Sequence, residues 1–392
     1  MSSFLRSIFL ATLLFPTAAF SQIREEYRPL SELLSTRPER EPTEGNLVEI
    51  IPCGAELFLR MQDDMMAAEK TLHSSYFIFN DDEAGFLVRT ALRLKAMDGV
   101  EVQYIAEDFN QKASFVNPMR KSGVEVRHHP LLPLTPRNHH KYLLIDGVLA
   151  YAGGNNISND NILEWEDWAV RLRGPVVASM EQVHARMWER RRGKASEYEI
   201  KEEEPFDGGV TVQYVDDVPG EKSRLHLKAY IWALDHAREY FYAKSPYFTP
   251  PKEFMRSLVD AARRGVDVRI LIPAFKDAPS RVVVPFERAF FEELVQAGVH
   301  IHLRKDRFDH SKMFSCDNYL SAMGSVNLDA LSFSRNFENN LYIYDEKISA
   351  EIKRSIEEDL VNCYELTPEL LDDYPAFEKA MKGPLRRIGG LF

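Results

Sequence analysis

The sequence predicts an α/β protein of two similar halves, each a mostly parallel or mixed sheet flanked by helices. Two observations support this fold class. Strand-like and helix-like segments alternate along both halves of the chain, and a set of polar residues recurs at one fixed interval. The 392 residues are enough for one large or two medium domains, and 45% hydrophobic with 28% charged residues is ordinary for a globular protein.

The first half alternates strands with helices that have an apolar residue every three to four positions. Gly99 follows the second helix, as expected of a helix end. The alternation favours largely parallel strands. The strands are "LVEIIP", "SSYFIFN" and "VEVQYIAED", and the helices are "GAELFLRMQDDMMAAEKTL" and "FLVRTALRLKAMDG".

The second half repeats this plan. Its strands are "VTVQYV", "EYFYAKSPYF", "VDVRILIP" and "VHIHLR", and its helices are "RLHLKAYIWALDHA", "KEFMRSLVDAARRG" and "FERAFFEELVQAG". Charges, Pro205 and a pair of glycines mark a linker over residues 196–209. We therefore expect a first lobe over residues 47–195 and a second over residues 210–392.

The N-terminus has the pattern of a secretory signal peptide over residues 1–21. Arg6 precedes an uncharged run, and Ala19 and Ser21 form a small-x-small cleavage pattern. The alternative is an uncleaved membrane anchor, although the run is short for a span of roughly 20 residues. Residues 22–46 are charged and contain prolines, and we interpret them as a lead-in to the first lobe. The protein is expected to be exported to the periplasm or secreted, with membrane association possible.

The net charge and the cysteine content restrict the substrate classes and the bound groups that the sequence supports. The 49 Lys and Arg against 60 Asp and Glu give a net charge of −11, and removal of Arg6 would give −12. An acidic surface disfavours broad electrostatic capture of nucleic acid but allows a local basic cleft. Cys53, Cys316 and Cys363 form no C-x-x-C pair and no zinc spacing, so we expect neither a disulfide scaffold nor a bound metal.

An internal repeat is the strongest signal in the sequence. Six polar or aromatic markers share one shift of 171 positions, which indicates a duplication. They are His139 to His310, Lys141 to Lys312, Asp146 to Asp317, Asn156 to Asn327, Asp167 to Glu338, and the Tyr-Phe pairs that begin at Tyr76 and Tyr247.

The repeated His and Lys form the expected working pair of each half. Side chains alternate between faces along a strand, so His139 and Lys141 point the same way, as do His310 and Lys312. Histidine can act as nucleophile or general acid near neutral pH, and lysine can hold a phosphoryl oxygen. Two such half-sites that face each other suit displacement at a phosphodiester in two steps, without a metal and without a cofactor.

The other repeated residues are expected to support this pair. Asp167 and Glu338 each lie 28 positions after a histidine (167 − 139 and 338 − 310) and suit the role of a carboxylate that fixes the imidazole tautomer. The amides of Asn156 and Asn327 can bind phosphoryl oxygens. Asp146 and Asp317 should face away from the site and hydrogen-bond a turn or an adjoining strand.

The segments "HHKYLLID" and "HSKMFSCD" both fit H-x-K-x4-D, the signature of the phospholipase D superfamily. From about residue 47 to the C-terminus the chain resembles bacterial cardiolipin synthases, in "RNHHKYLLIDGVLAYAGGNNI", "WEDWAVRLRGP", "SPYFTP", "AARRGVDVRILIP" and "GSVNLDALSFSRNFEN". Many relatives have Ser or Thr after the Gly of each half. Ser325 fits this pattern, whereas the first half has Gly154.

The resemblance implies two pseudo-symmetric phospholipase D-type lobes with the active site between them, and it implies a role for each half-site. His139 would be the nucleophile that forms a phosphohistidine, and His310 would protonate the leaving alcohol and then activate the acceptor. The phosphoryl ligands would be Lys141, Lys312, Asn156, Asn327 and Ser325. Water as acceptor would give phospholipase D hydrolysis, and the glycerol hydroxyl of phosphatidylglycerol would give cardiolipin.

The expected partner is a phospholipid at a membrane surface, because apolar segments flank the motifs. These are "HPLLPLTPR", "RVVVPFERAFF" and "PLRRIGGLF", and core packing is the alternative for each. A second possibility is a secreted nuclease of the same superfamily that acts on DNA or RNA, with "RMWERRRGK" as its basic segment. A non-catalytic binding protein would need a half-site with a broken His or Lys, and neither half is broken. The oligomeric state is not indicated.

Overall fold

The computed structural model describes residues 23–108, 113–130, 136–221, 223–274, 283–375 and 380–389. The predicted signal peptide, residues 1–21, lies outside these ranges. So do residues 131–135 of the apolar segment that precedes the first histidine motif. In the described part of the chain, no helix combines the length and the apolar character needed to cross a membrane.

The strands run through both halves of the chain with similar lengths and spacing. They are β1 Thr43–Pro52, β2 Thr71–Tyr76, β3 Glu101–Glu107, β4 Glu125–His129, β5 Tyr142–Ile145, β6 Leu149–Gly153, β7 Trp168–Arg173, β8 Val210–Asp217, β9 Tyr240–Lys244, β10 Phe248–Thr249, β11 Asp267–Pro273, β12 His300–Arg304, β13 Met313–Cys316, β14 Leu320–Gly324, β15 Leu328–Asp329, β16 Glu338–Tyr344 and β17 Cys363–Glu365.

The helices connect and cover these strands. They are α1 Arg28–Leu34, α2 Ala55–Ala67, α3 Glu83–Met97, α4 Ala113–Lys121, α5 Val176–Arg190, α6 Leu225–His236, α7 Lys252–Arg263, α8 Val284–Ala297, α9 Glu346–Asp359, α10 Pro368–Asp372 and α11 Lys382–Gly389. Local sequence explains several of their ends. Asp82 and Asp345 cap the N-termini of α3 and α9 by accepting backbone N–H hydrogen bonds.

Fifteen of the strands form one continuous sheet in the order β17-β12-β11-β9-β13-β14-β16-β8-β1-β7-β6-β5-β2-β3-β4. Apart from the edge strand β17, the order is symmetric about the antiparallel pair β1 and β8. Strands β2-β3-β4 and β9-β11-β12 are parallel, the inner strands are antiparallel, and the edge strand β17 is antiparallel to β12. The predicted α/β fold with two pseudo-symmetric lobes is confirmed, and its sheet is mixed rather than largely parallel.

Each lobe has its own apolar core on one face of the sheet. In the first lobe α2, α3 and α4 cover this face, and in the second lobe α6, α7 and α8 do so. A third core lies between the lobes, where α5 and α9 pack on strands from both halves. The central core makes the two lobes one packed unit.

The lead-in packs on the second lobe. Tyr27, Leu30 and Leu34 are buried among residues of α6, and β1 begins at Thr43, before the boundary at 47 that the sequence suggested. Residues 196–209 contain no helix or strand. The buried side chain of Arg40 binds Asp216 of β8 with an Nε–Oδ1 distance of 2.9 Å, so the lead-in is tied to the centre of the sheet.

One of the six repeat markers is not structurally equivalent in the two lobes. Strand pairing places Ser75 opposite Tyr142 and Lys244 opposite Met313, so β2 and β9 correspond with a shift of 169 (244 − 75), not 171 (313 − 142). Tyr76 and Tyr247 therefore occupy different positions. Their match in the sequence is a coincidence, and that part of the repeat prediction is wrong.

Candidate active site

Both histidine motifs lie in extended segments immediately before a strand, and each segment pairs with the opposite lobe. Asn138 pairs with Phe337 and Asp309 pairs with Glu166 in isolated parallel bridges. The N–H of His139 donates to the Phe337 carbonyl at 2.9 Å, and the N–H of His310 donates to the Glu166 carbonyl at 2.7 Å. The two bridges are related by the 171-residue shift (309 − 138 and 337 − 166), so the pseudo-two-fold axis passes through the site.

The crossed bridges give each histidine a carboxylate from the other lobe. The Nδ1 of His139 lies 2.8 Å from Oε2 of Glu338, and the Nδ1 of His310 lies 2.7 Å from Oδ2 of Asp167. Because a carboxylate accepts, each Nδ1 carries the proton and each Nε2 keeps its lone pair. The sequence indicated these carboxylates but not that each serves the histidine of the opposite half.

The two lysines of the motifs are buried beside the histidines. The ammonium of Lys141 donates to the carbonyl of His139 at 2.8 Å, and Lys312 donates to the carbonyl of His310 at 2.5 Å. Burial lowers the pKa of Lys141 well below its usual value, and the charge of Lys312 lowers it further. Burial likewise lowers the pKa of Lys312 to about 8. Two neighbouring buried ammonium groups favour an anion between them, since it would offset both charges.

The two histidine–carboxylate pairs differ electrostatically. Burial would raise the pKa of Glu338, but His139, Lys141 and the hydroxyl of Ser325 together lower it to about 2. Burial raises the pKa of Asp167 to about 7, despite the opposing charge of Lys312. One carboxylate is therefore a permanent anion at neutral pH, whereas the other is poised to exchange a proton.

A hydroxyl group accounts for part of this difference. The Oγ of Ser325 donates to Oε2 of Glu338 and accepts from the N–H of Asn339 at 2.9 Å. Asp167 accepts instead from Nδ2 of Asn161 at 3.3 Å and from the N–H of Trp168 at 2.8 Å, and the position equivalent to Ser325 is Gly154. A Cβ atom at Gly154 would lie 2.5 Å from Oδ1 of Asp167, so the tight packing there excludes a side chain.

The structure gives each repeated asparagine a different neighbour. The Oδ1 of Asn156 accepts from the N–H of Ile78 at 3.1 Å, which leaves Nδ2 as the donor end that an anion requires. Asn327 is buried and hydrogen-bonds Asp329, whose pKa is raised to about 6 mainly by burial. The hydroxyl of Ser325, expected to bind phosphate, is directed to Glu338 instead.

Asp146 and Asp317 occupy the turns that follow β5 and β13. Both have a left-handed backbone, with φ of 54° and 48°, at the first of the three residues that separate the paired strand ends of a hairpin. Each carboxylate accepts three successive backbone N–H bonds that precede the neighbouring strand. The donors are Glu69, Lys70 and Thr71 for the first, and Arg238, Glu239 and Tyr240 for the second. The geometry agrees with a structural role away from the site.

Aromatic rings surround both imidazoles, and of these the sequence singled out Phe77, as part of a repeated Tyr-Phe pair, but assigned it no role at the site. The ring of Phe77 meets His139 edge-on, with centroids 4.8 Å apart. Trp165 and Phe308 lie 5.2 Å and 6.0 Å from the ring of His310. These rings exclude water from the histidines and explain why burial dominates their pKa values, which are lowered for both. The position of Trp165, two residues before Asp167, was the available signal.

Comparison with known proteins places this geometry in a family. The model of the family described as "Cardiolipin synthase, PLD-like domain" matches residues 61–188 and 204–360, which together hold both histidine motifs and both carboxylates. The chain belongs to the phospholipase D superfamily. The resemblance seen in the two H-x-K-x4-D motifs is thereby confirmed.

Individual relatives extend the match over nearly the whole chain. "Cardiolipin synthase 1" of Staphylococcus epidermidis is 28% identical over 382 residues, which cover 93% of this chain and 78% of that protein. "Cardiolipin synthase" of Listeria innocua is 30% identical over 370 residues, with 88% and 75% covered. The crystal structure of phosphatidylserine synthase from Haemophilus influenzae shares the fold, with a TM-score of 0.68 at 14% identity over 93% of this chain and 98% of that one.

The apolar segments that the sequence suggested as lipid contacts differ in their burial and packing in this phospholipase D-superfamily fold. In the second segment, Val284, Phe290 and Phe291 are buried, so its described part is core. The described part of the third segment lies in α11, where Arg386 donates to the carbonyl of Ala289 at 2.7 Å. Trp188 of the basic segment is fully buried. None of these described residues forms an open apolar approach to the histidines.

Proposed function

We propose that the protein is a cardiolipin synthase-like phosphatidyltransferase that works through a phosphohistidine on His139, with phospholipase D hydrolysis as the reaction when water is the acceptor. The crossed pairing of two histidines with two carboxylates, beside two buried lysines, carries this proposal. It supplies one nucleophile, one proton donor and a cationic cradle for a single phosphoryl group.

In the first step the lone pair on Nε2 of His139 attacks the phosphorus of the donor lipid. A P–N bond forms and the bond from phosphorus to the leaving alcohol oxygen breaks. His310 enters this step with both ring nitrogens protonated and transfers the Nε2 proton to that oxygen, which leaves the ring neutral with a lone pair on Nε2. Glu338 accepts the hydrogen bond from Nδ1 of His139 and stabilises the imidazolium character that develops on this ring. Lys141 and Lys312 stabilise the charge on the phosphoryl oxygens.

In the second step the acceptor hydroxyl gives its proton to Nε2 of His310. Its oxygen attacks the phosphorus and the P–N bond to His139 breaks, which restores both rings. The pKa of Asp167, raised by burial to about 7, suits a partner for His310, because the pair must give up and then take back a proton at neutral pH. No step in this route requires a group beyond the side chains described.

The lipid substrate is favoured by the relatives, which are named for cardiolipin synthesis. The acceptor that would yield cardiolipin is the glycerol hydroxyl of phosphatidylglycerol. The acidic composition, with a net charge of −11, supports a phospholipid over a nucleic acid. The pattern of residues 1–21 supports export, so we propose the periplasm or the outside of the cell as the site of action.

The test uses purified protein with phosphatidylglycerol vesicles and, separately, with single-stranded DNA, both in chelator. Mass spectrometry would detect cardiolipin or phosphatidic acid in the first and cleaved oligonucleotide in the second. We expect lipid products. DNA cleavage without lipid turnover would refute the lipid assignment in favour of a nuclease.

The covalent step has its own test. Rapid acid-free quenching followed by peptide mass spectrometry should find a phosphatidyl adduct on the peptide that contains His139. His139→Ala and His310→Ala should each abolish turnover, and only His310→Ala should retain the capacity to form the adduct from a donor with a good leaving group. An adduct on His310 would reverse the assigned roles, and near-normal turnover of either variant would refute the shared site.

A further inference from the structure

A cluster of exposed apolar side chains lies on the first lobe. Seven of the twelve large hydrophobic side chains that are exposed among the described residues belong to α2, α3 and the turn at 160–164, and they are 40% to 75% exposed. We name this set the lobe 1 apolar face. It consists of Leu59, Met66, Phe86, Leu87, Leu94, Met97 and Leu163.

The apolar residues of α3 form a stripe that faces solvent. Phe86, Leu87, Leu94 and Met97 fall within an arc of about 100° at 3.6 residues per turn. The opposite face is also apolar and is buried against the sheet. A helix that is apolar on both faces is expected to have a second partner.

The matching helix of the second lobe lacks this stripe. By its place between β9 and β11, α7 is the counterpart of α3, which lies between β2 and β3. The exposed residues of α7 are all charged: Lys252, Glu253, Arg256, Asp260 and Arg263. The exposed apolar stripe is therefore a property of one lobe and does not follow from the fold that both lobes share.

The lobe 1 apolar face reaches the rim of the site. The N–H of Asn159 donates to Asp82, and its Oδ1 accepts from the N–H of Ala84 at 3.1 Å, which joins the turn at 160–164 to the start of α3. In the same turn Leu163 lies two residues before Trp165, whose ring centroid is 5.2 Å from that of His310. Leu163 of the apolar face is therefore two residues from a ring that packs near His310.

Basic groups border the apolar face on the side of α4. Arg93 donates to the hydroxyl of Ser122 at 3.0 Å, just after the exposed Arg120 and Lys121 in the last turn of α4. Apolar side chains edged by arginine and lysine suit the boundary between the acyl chains and the anionic headgroups of a phospholipid surface.

We infer that the lobe 1 apolar face is the surface by which the protein docks on a phospholipid membrane, next to the entrance of its site. The inference rests on the proposed function, because a lipid phosphodiester must reach the histidines from a membrane. Docking through α2 and α3 would place the bilayer surface beside Trp165.

The test compares a variant with four substitutions, Phe86→Gln, Leu87→Gln, Leu94→Gln and Met97→Gln, with the unsubstituted protein. Glutamine keeps the helix propensity of α3, so the fold should be retained. The matched control is Val361→Ser in combination with Leu370→Gln, which removes exposed apolar groups from the second lobe. All proteins carry the same N-terminus, so any contribution of residues 1–22 cancels.

Binding is measured by sedimentation with sucrose-loaded vesicles of phosphatidylglycerol and phosphatidylcholine, and turnover on dihexanoyl phosphatidylglycerol below its micelle concentration. The variant should bind vesicles on the order of a hundredfold more weakly. Turnover of the monomeric lipid should be unchanged, and the control should match the unsubstituted protein in both assays.

Unchanged vesicle binding by the variant would overturn the inference while leaving the proposed function intact. Loss of a dimer in light scattering, with vesicle binding retained, would assign the face to a second copy and would also overturn it. Binding that depends on the lobe 1 apolar face in a protein that turns over no phospholipid would support docking and refute the proposed function, so the two failures are distinguishable.

Discussion

Replacement of Ser325 by alanine tests whether one hydroxyl sets the charge state of the nucleophilic half-site. In the native protein this hydroxyl donates to Glu338, which in turn accepts from Nδ1 of His139. Ser325 and Glu338 are both fully buried, so water cannot replace the hydroxyl as a donor to the carboxylate. The carboxylate should then hold a proton more tightly, and the pair should take up a proton at higher pH.

The size of the effect follows from the type of bond. A hydrogen bond to a charged group contributes about 1.5 to 3 kcal/mol. At 1.36 kcal/mol per pKa unit this raises the pKa of the pair by about one to two units. If this hydrogen bond is stronger in the transition state than in the ground state by a comparable amount, kcat should fall by about ten- to a hundredfold.

The assay is the pH dependence of kcat/KM on monomeric dihexanoyl phosphatidylglycerol. Burial lowers the pKa of His139 to about 4, so the acidic limb of the native profile should lie in that region. In Ser325→Ala this limb should move upward by about one to two pH units. Ser325→Thr keeps the hydroxyl and should restore the native limb.

A fall in kcat with an unmoved acidic limb would refute the reasoning. Ser325 also accepts from the backbone N–H of Asn339, so its loss has a structural cost. A purely structural role would reduce activity at every pH equally. Failure of Ser325→Thr to restore the profile would likewise show that the hydroxyl does not act through Glu338.

Three further predictions follow from the same contacts. Gly154→Ser should lower kcat at least tenfold without unfolding the protein, as checked by steady-state kinetics and circular dichroism, because its Cβ would lie 2.5 Å from Oδ1 of Asp167. Asp216→Asn should reduce the free energy of unfolding in urea by up to about 3 kcal/mol, because Arg40 and Arg186 lose the buried anion that they share and keep Glu221 and Glu39 as ionic partners. The pKa of Asp216 is lowered in the folded state, so the stabilisation from this carboxylate is fully present above the unfolded pKa of about 4 and is lost as the pH falls below that value. The stability of the variant should therefore depend less on pH below about pH 4 than the stability of the native protein does. Orthovanadate should inhibit competitively with the lipid in initial-rate assays, because its negative charge should bind to the two motif lysines in place of the lipid phosphate. Non-competitive inhibition would contradict this prediction.

The sequence was most informative about functional residues that occur once in each half of the chain. His139 and His310 share one shift with their lysines, their asparagines and the two carboxylates, and the strand pairing confirms that shift for the hairpins. The Asp-Gly and Asp-Asn turns at 146–147 and 317–318 could also have predicted the antiparallel hairpins, because both sequences favour left-handed two-residue turns. Helix α5 likewise has amphipathic spacing that the sequence could have revealed.

The arrangement across the lobes could not be predicted from spacing. Asp167 and Glu338 each follow a histidine by 28 positions, yet each serves the histidine of the other half. The exchange depends on backbone bridges between distant segments, which leave no periodic trace in the sequence. For the same reason the sequence showed that Ser325 and Gly154 differ between the halves, but it did not show which carboxylate each of these positions contacts.

The junction of β1 with β8 constrains how reactants are exchanged. These two strands join the halves into one uninterrupted sheet, and α5 and α9 seal the junction from one side. A jaw-like opening of the enzyme would break backbone hydrogen bonds at its centre. In the proposed mechanism the departing alcohol and the incoming one would therefore be exchanged without separation of the two lobes.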